Sequence, residues 1–334
     1  MTFKALVITE NSSGKFERSI VQREMDDLPA GEVLIKVQYT SLNYKDALSA
    51  TGNKGITRQY PHTPGIDAAG IVELSRNSRF ATGDSVIVTG HDLGMNTSGG
   101  FAEYVRVPGD WVILKPDEYN FREVMTIGTA GFTAAMAVHK LELMGQTPSM
   151  GPIVVTGSTG GVGSFAVAIL AKAGFEVIAV SGKTNAKEYL THLGAARIEP
   201  REFVDDRSSK GLLKREWAGA IDTAGGNILH TLLRGCRQEG SVVSTGLVDS
   251  ATLNTTVFPF ILNGVNLLGV GSAETPLATK QIIWQKLGKA WSVADKLQVI
   301  GREVTLEELC TTHIDAILQG KVMGRIVAKV STSA

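Results

Sequence analysis

The chain has 334 residues, a length that favours two domains over one compact core. Lys+Arg and Asp+Glu both number 33, and 43% hydrophobic with 20% charged residues is the balance of a globular, enzyme-like chain, which argues against nucleic-acid or strongly acidic partners. Two cysteines far apart, Cys236 and Cys310, exclude a disulfide framework or a CxxC zinc site; no basic, apolar leader opens the chain, and its longest apolar run is broken by Lys172, so a cytoplasmic protein without a membrane span is expected.

From the N-terminus to about Phe121 the pattern is of short β-rich runs, among them "KALVIT", "GEVLIKVQYTS", "AAGIVELS" and "DSVIVTG". Turn signals at Pro29–Gly31, Pro64–Gly65 and Gly99–Gly100 separate them, predicting a small all-β unit with loops. The texture changes at "MTIGTAGFTAAMAVHKLELMG", an apolar helical stretch. Strands and helices then alternate: "IVVTG" with "GVGSFAVAILAKAG", "EVIAVSG" with "NAKEYLTHLGA", and "GAIDTAGG" with "ILHTLLRGC", then "GSVVSTG". Gly174 and Gly194 stand where helices should end. This alternation implies βαβ units around a doubly wound parallel sheet, with "VNLLGVGS" as its last strand. The amphipathic "TKQIIWQKLGKAW" follows, and the final "GRIVAKV" is a strand expected to return to the first domain. The expected division is residues 1–124 plus 295–334 in one domain and 125–294 in the other.

The glycines that follow the strand Ile153–Thr156 stand at 157, 160, 161 and 163. One permits the tight turn, one lets a pyrophosphate approach the backbone, and one lets the helix pack closely on the sheet. The helix N-terminus adds N–H groups and a positive dipole end. Gly160, Gly161, Val162 and Gly163 are therefore the expected pyrophosphate contacts of a Rossmann fold, the strand-turn-helix context lending weight to a motif that is weak alone. The second strand ends in Ser181, Gly182 and Lys183, with no carboxylate to bind a ribose 2′-hydroxyl. A hydroxyl, a glycine and a cation suit a 2′-phosphate, and Arg201 is a candidate second cation, so NADPH is the expected cofactor. Two bland alternatives stay open: Lys183 as a solvated charge, and Arg201 paired with Glu202.

Thr156, Gly157, Gly161 and Gly163 also spell TGxxxGxG, the short-chain dehydrogenase pattern. Its position so far into the chain opposes that reading. So does the lack of Lys four residues after any of the tyrosines 39, 44, 60, 104, 119 and 189. The histidines at 62, 91, 139, 192, 230 and 313 show no metal-ligand spacing, and no bound metal is expected.

The order of a β-rich domain, a Rossmann domain and a returning strand resembles the medium-chain dehydrogenases/reductases. Zinc members of that superfamily carry a Cys in the first catalytic loop and a GHE motif; here "SLNYKD" and "TPGIDAAG" stand at those places. "SLNYKDALSATG", "YPHTPGIDAAG", "GTAGFTAA", "VVTGSTGGVGS", "AVSGK", "WAGAIDT" and "PFILNGVNLLGV" together resemble the zinc-free YhdH/YhfP-type quinone oxidoreductases, a group that includes the acrylyl-CoA reductases. The resemblance implies a GroES-like β-rich domain, a Rossmann NADP-binding domain, and a homodimer. It implies that Tyr44 contacts the nicotinamide end, that Ser181, Gly182, Lys183 and Arg201 surround the adenosine phosphate, that Leu247, Ile261 and Ser272 line the nicotinamide side, and that Arg325 faces the cofactor.

An activated double bond is reducible without a metal. Hydride adds to the β-carbon of an enone or enoyl thioester, hydrogen-bond donors stabilise the enolate, and a proton reaches the α-carbon. A quinone accepts hydride similarly. The candidate catalytic residues are Asn43 as an uncharged donor, Tyr44 as an oxyanion or proton donor, and Asp46 as a relay. Turn capping by Asn43, an N-cap role for Asp46 and burial of Tyr44 are the structural alternatives. Asp222 is expected to tie down its own turn. Lys45, Lys54 and Arg58 are either solvated charges or contacts for the phosphates of an enoyl-CoA. The alternative to an enzyme is a non-catalytic NADPH-binding sensor or structural protein.

Overall fold

The computed structural model describes residues 1–331. The chain divides into two compact units. The first holds Met1–Thr129, Ala273–Gln285 and residues 300–331; the second holds Ala130–Ser272 and Lys286–Val299. The sequence-based boundaries near 124 and 294 differ from this division chiefly at 273–285, a helical segment whose own residues pack with the β-rich unit.

In the first unit, β1 (Thr2–Glu10) and β2 (Phe16–Glu24) form an antiparallel ribbon. Strands β3 (Val33–Leu42), β4 (Asp67–Ser75), β5 (Ser85–Thr89), β6 (Tyr104–Val107) and β7 (Val112–Leu114) make most of a seven-stranded sheet. The short helix α1 (Tyr44–Ser49) leaves the end of β3. Two strands from the C-terminal part, β14 (Gly301–Thr305) and β15 (Arg325–Lys329), complete the sheet in the order β14-β15-β3-β4-β5-β7, with β6 on β3. The "GRIVAKV" run thus returns to the first unit: Ile326 pairs with Leu42 and Ala328 with Thr40. Alternating Val, Ile and Leu residues bury one face of this sheet around Val33, Ile35, Val37, Val72, Val86 and Val105.

The second unit begins inside the helix α2 (Phe121–Leu143), which breaks at Gly128, where φ is 47° and ψ −157°. Six parallel strands follow: β8 (Ile153–Val155), β9 (Val177–Val180), β10 (Arg197–Glu199), β11 (Trp217–Asp222), β12 (Cys236–Ser244) and β13 (Asn266–Gly269). Their order, β10-β9-β8-β11-β12-β13, is that of a doubly wound dinucleotide-binding sheet, and every pairing is parallel. β8, β9 and β11 are buried along their whole length, which explains their unbroken apolar runs. The connecting helices are α3 (Gly161–Lys172), α4 (Lys187–Leu193), α5 (Gly226–Gly235) and α6 (Phe258–Asn263), and α7 (Leu277–Gly288) comes after the last strand. Gly194 caps α4 in the left-handed region with φ 103°, and Gly174 follows α3 with φ 86°, so both end helices as the pattern required.

Both cysteines are free and buried. Burial pushes the Cys236 thiol up to about 12 and raises that of Cys310. Among the described residues, no helix is long and apolar enough to cross a membrane.

Candidate active site

In the first unit the residues of "SLNYKD" converge on one buried ion pair. Arg325, at the start of β15, and Asp67, at the start of β4, are 3% and 0% exposed at their side chains, with Nη2 3.4 Å from Oδ2. Sheet register brings them together: β15 and β4 both flank β3. Asp67 Oδ2 also accepts from Ser41 Oγ at 2.6 Å and from Asn43 Nδ2 at 2.8 Å. Its two oxygens accept from the Thr129 backbone N–H at 3.1 and 3.0 Å, and Oδ1 accepts from the Thr129 hydroxyl at 2.6 Å. The carboxylate therefore meets the N–H groups at the point where α2 resumes after its break. Gly128 lies directly over the pair; a Cβ there would stand 2.6 Å from Asp67 Oδ2 and 2.9 Å from Arg325 Nη2.

Every N–H of the Arg325 guanidinium is used inside the unit. Nε donates to Thr126 O, Nη1 to Leu42 O and Asn43 Oδ1, and Nη2 to Ser41 Oγ and Asp67. Arg325 was expected to face the cofactor; in this structure its N–H groups donate to protein atoms.

Asn43 meets a similar fate. Its Nδ2 donates to Ser41 O and Asp67, and its Oδ1 accepts from Arg325, so the amide is locked from both ends. It sits at the N-cap position of α1, and both ends of its amide are engaged within the unit. Asp46 is fully buried in the third position of α1, and not at its N-cap. Its Oδ2 accepts from Asn43 N at 2.7 Å and its Oδ1 from Ile66 N at 2.8 Å. Burial, and then the nearby Asp67, push its pKa up to about 7 against the pull of those two N–H groups. Tyr44 alone of the three is open to solvent, at 43% exposure, and its hydroxyl makes no hydrogen bond to the described residues.

Sequence reasoning missed the hub of this network. Asp67 was visible as a lone carboxylate opening the apolar run "DAAGIV", and a charge in an otherwise buried strand calls for a partner. Lys280 was missed too. Its Nζ donates to Thr89 O at 2.7 Å and to His91 Nε2 at 2.7 Å, and burial pushes it down to about 8. Thr89 is the register partner of Asp67.

In the second unit the glycine turn has the expected form. Gly157 has φ 55° and Gly160 occupies the N-cap of α3 with no side-chain cap, so the first-turn N–H groups are left for a ligand. A Cβ at Gly163 would stand 2.3 Å from Gly157 O, which is why the helix accepts only glycine there at this spacing. Ser158 ties the turn to both strands, donating to Val155 O at 2.7 Å and Val180 O at 3.0 Å. Asp222 accepts from Thr156 Oγ1 and from the N–H groups of Ala224 and Gly225, holding the opposite strand end as expected. Both belong to the switch point of the sheet, between β8 and β11.

At the end of β9, the Ser181 hydroxyl accepts from Lys183 N at 3.1 Å. Gly182 is open, with no atom within 4 Å of an added Cβ, and burial lowers the pKa of Lys183. Arg201 is exposed and makes no ion pair with Glu202. Leu247 and Ile261 are 64% and 69% exposed, while Ser272 is half-buried and its Oγ accepts from Thr133 Oγ1 at 2.8 Å. Uncapped N–H groups, a turn sterically closed to side chains and a strand end without a carboxylate all fit a dinucleotide carrying a 2′-phosphate.

Residues 29–117 match the alcohol dehydrogenase GroES-like domain, and residues 161–286 match the zinc-binding dehydrogenase domain. Acrylyl-CoA reductase AcuI of Ruegeria pomeroyi is 42% identical, over 98% of this chain and 99% of its own. The chain belongs to the medium-chain dehydrogenase/reductase family. YhfP of Bacillus subtilis, named as a quinone oxidoreductase, is 44% identical over 91% of this chain and 92% of its own. A solved structure of YhfP, with NAD bound, has a TM-score of 0.95 and covers 98% of this chain and 99% of that one. The yhdH oxidoreductase of Salmonella enterica, crystallised in complex with NADP, also has a TM-score of 0.95, at 43% identity, covering 98% of this chain and all of that one. As a member of this family the protein is an oxidoreductase with GroES-like and Rossmann domains. Among its described residues no group of three or more His, Cys, Asp or Glu is arranged to hold a metal ion. The "SLNYKD" and "TPGIDAAG" segments instead place Ser41 and Asp67 against the guanidinium of Arg325.

Two consequences follow for this network. Replacing Arg325 by Met leaves Asp67 buried and uncompensated; urea unfolding should show a loss of about 3–5 kcal/mol, far above that of a surface Arg→Met control. Asp46 gives a pH signature. Its pKa is raised on folding from 3.8 to about 7, so its contribution to stability is complete below about pH 4 and is lost as the pH climbs toward 7. The Tm of the wild type relative to Asp46→Asn should therefore fall across that window; a pH-independent difference would contradict the assignment.

Proposed function

We propose that this oxidoreductase uses NADPH to reduce an activated double bond, in an acrylyl-CoA-like enoyl thioester or a quinone. The observation that carries the cofactor preference is the end of β9: Ser181, Gly182 and Lys183 offer a hydroxyl, open space and a cation where an NAD-preferring site presents a carboxylate. Arg201, exposed and without a salt-bridge partner among the described residues, is the second cation for the 2′-phosphate. Gly160, Gly161, Val162 and Gly163 hold the pyrophosphate through the uncapped start of α3. Leu247, Ile261 and Ser272 line the nicotinamide side. The NADP bound to the Salmonella relative supports this choice, and the NAD bound to YhfP makes it a point to measure.

When bound, the nicotinamide supplies hydride. The chain's own residues orient the acceptor and manage its charge and proton. Tyr44 is the one candidate of "SLNYKD" with a free hydroxyl, so it donates to the developing enolate or phenolate oxygen. Asn43 and Asp46 act through it: they fix the first turn of α1, and Arg325 with Asp67 fixes Asn43. Preorganisation of this kind removes the reorganisation cost at the moment of reaction.

The test is a panel of acceptors: acrylyl-CoA, crotonyl-CoA, a benzoquinone and an alkenal, each with NADPH and NADH. We expect NADPH oxidation with at least one acceptor, and NADPH bound at least about tenfold more tightly than NADH. Tyr44→Phe should lower kcat about a hundredfold. Tight NADPH binding without turnover on any acceptor would instead favour a cofactor-binding sensor or structural protein.

We also propose a homodimer. β13 is the last strand of the second unit's sheet, and beside it Val257, Phe258, Leu262 and Leu267 are 60%, 45%, 56% and 38% exposed. An apolar edge strand of this kind pairs with its own copy across a two-fold axis. Light scattering at micromolar concentration should give a dimer, and Leu267→Lys should shift it toward monomer.

A further inference from the structure

The chain passes from the second unit to the first between Ser272 and Ala273. Ser272 is held within its own unit by the Thr133 hydroxyl. Ala273 is held within the first unit by the exit of β5. There, His91 N donates to Ala273 O at 3.0 Å, and Gly90 lies so close that a Cβ on it would stand 3.0 Å from Ala273 Cα. Gly90 and His91 are both left-handed, with φ 74° and 55°. Glycine adopts that conformation freely, but histidine does so at a cost and needs its surroundings to keep it there.

Two contacts hold the His91 ring. It stacks on Trp111, with ring centroids 5.3 Å apart and an interplanar angle of 1°. Its Nε2 is 2.7 Å from Nζ of Lys280, which comes from the first turn of α7, is 1% exposed, and also donates to Thr89 O at 2.7 Å. An ammonium can only donate, so His91 Nε2 accepts and the imidazole proton sits on Nδ1. Burial and the charge of Lys280 lower His91 to about 4, which keeps the ring neutral, while burial pushes Lys280 down to about 8. Asp67 on β4 and Glu274 ahead of α7 act on Lys280 in the opposite sense, as Asp110 does on His91. A buried ammonium whose hydrogen-bond partners are a carbonyl and a neutral imidazole is a costly way to fill space. What it accomplishes is to fasten α7 to the strand end that grips Ala273.

Building on the reading that Ser272 lines the nicotinamide side, we infer that Lys280 is a positioning residue for the cofactor: its ammonium clasps Thr89 and His91, His91 holds Ala273, and this clasp sets the place of Ser272. The effect belongs to the nicotinamide end alone. The adenosine phosphate is assigned to the end of β9, which the clasp does not touch.

The test separates the two ends of the dinucleotide. NADPH and adenosine 2′,5′-bisphosphate, which lacks the nicotinamide, are titrated into wild type, Lys280→Met and Lys280→Arg. Lys280→Met should weaken NADPH binding about tenfold and leave the bisphosphate within about twofold. Lys280→Arg, charged at every pH, should recover most of the loss. Between about pH 7 and about pH 9 the wild-type preference for NADPH over the bisphosphate should fall about threefold, as charge-assisted hydrogen bonds become neutral ones, and Lys280→Arg should show no such fall. NMR of the His91 ring reports the clasp itself: the ring stays neutral down to about pH 4 in wild type and titrates nearer its ordinary 6.5 in Lys280→Met. An equal loss for both ligands, a lowered Tm with NADPH binding unchanged, or a His91 titration that does not move would each overturn the inference. Should Lys280→Met fail to fold, the pH dependence of wild type against Lys280→Arg decides. Lys280-dependent NADPH binding without NADPH oxidation on any acceptor would strike the reductase reading and leave this inference standing.

Discussion

The Asp67–Arg325 pair is the fixed point of the first unit. Two strands far apart in sequence each bring one charge against β3, and neither charge is tolerable there without the other. Once paired, they recruit Ser41, Asn43 and Thr129 as hydrogen-bond partners, and these in turn set the exit of β3 and the restart of α2. The break at Gly128 follows from the same geometry. The backbone passes so close to the pair that a side chain has no room, and the conformation it adopts is one glycine tolerates. Asn43 cannot turn because both ends of its amide are held, and Tyr44 therefore leaves the turn in a single direction.

The second unit achieves its rigidity by a different route. Its central strands β8 and β9 are apolar throughout, and β11 carries its one charge, Asp222, at its carboxyl end. At the carboxyl ends of the strands, Thr156 bonds Asp222 and Ser158 bonds the adjoining backbone, leaving the start of α3 as a place where N–H groups lack partners among the described residues. A binding site made from backbone alone cannot be lost by the rotation of a side chain. In the proposed dinucleotide site such groups recognise phosphate generically, and selectivity is assigned to the few groups at the end of β9.

Much of this was legible in the sequence. The alternation of strands and helices, the glycine spacing and the missing carboxylate after "VIAV" are local signals, and local signals survive in a single sequence. The returning strand could be guessed because "GRIVAKV" lacked a neighbour to pair with. What a single sequence does not display is which distant groups meet. Arg325 looked available to a cofactor, yet every one of its donors is taken, because its partners Ser41, Leu42, Asn43, Asp67 and Thr126 lie some 200 to 280 residues away. Asn43 and Asp46 looked like candidates for chemistry for the same reason: their residue types are right, and only register reveals that both are already engaged. The attachment of residues 273–285 to the first unit was hidden likewise, since an amphipathic helix does not announce which surface it covers.

The state of the two cysteines has a consequence for an enzyme of this kind. α,β-Unsaturated carbonyl compounds and quinones are electrophiles, and a thiolate adds to the same carbon that receives hydride. A protein that concentrates such molecules at its surface exposes its own thiols to alkylation. Here Cys236 opens β12, buried, with its thiol held up to about 12, and Cys310 is buried within the helical segment Leu309–His313. The chain thus presents no accessible thiolate, and turnover does not carry with it a built-in route to self-inactivation at cysteine.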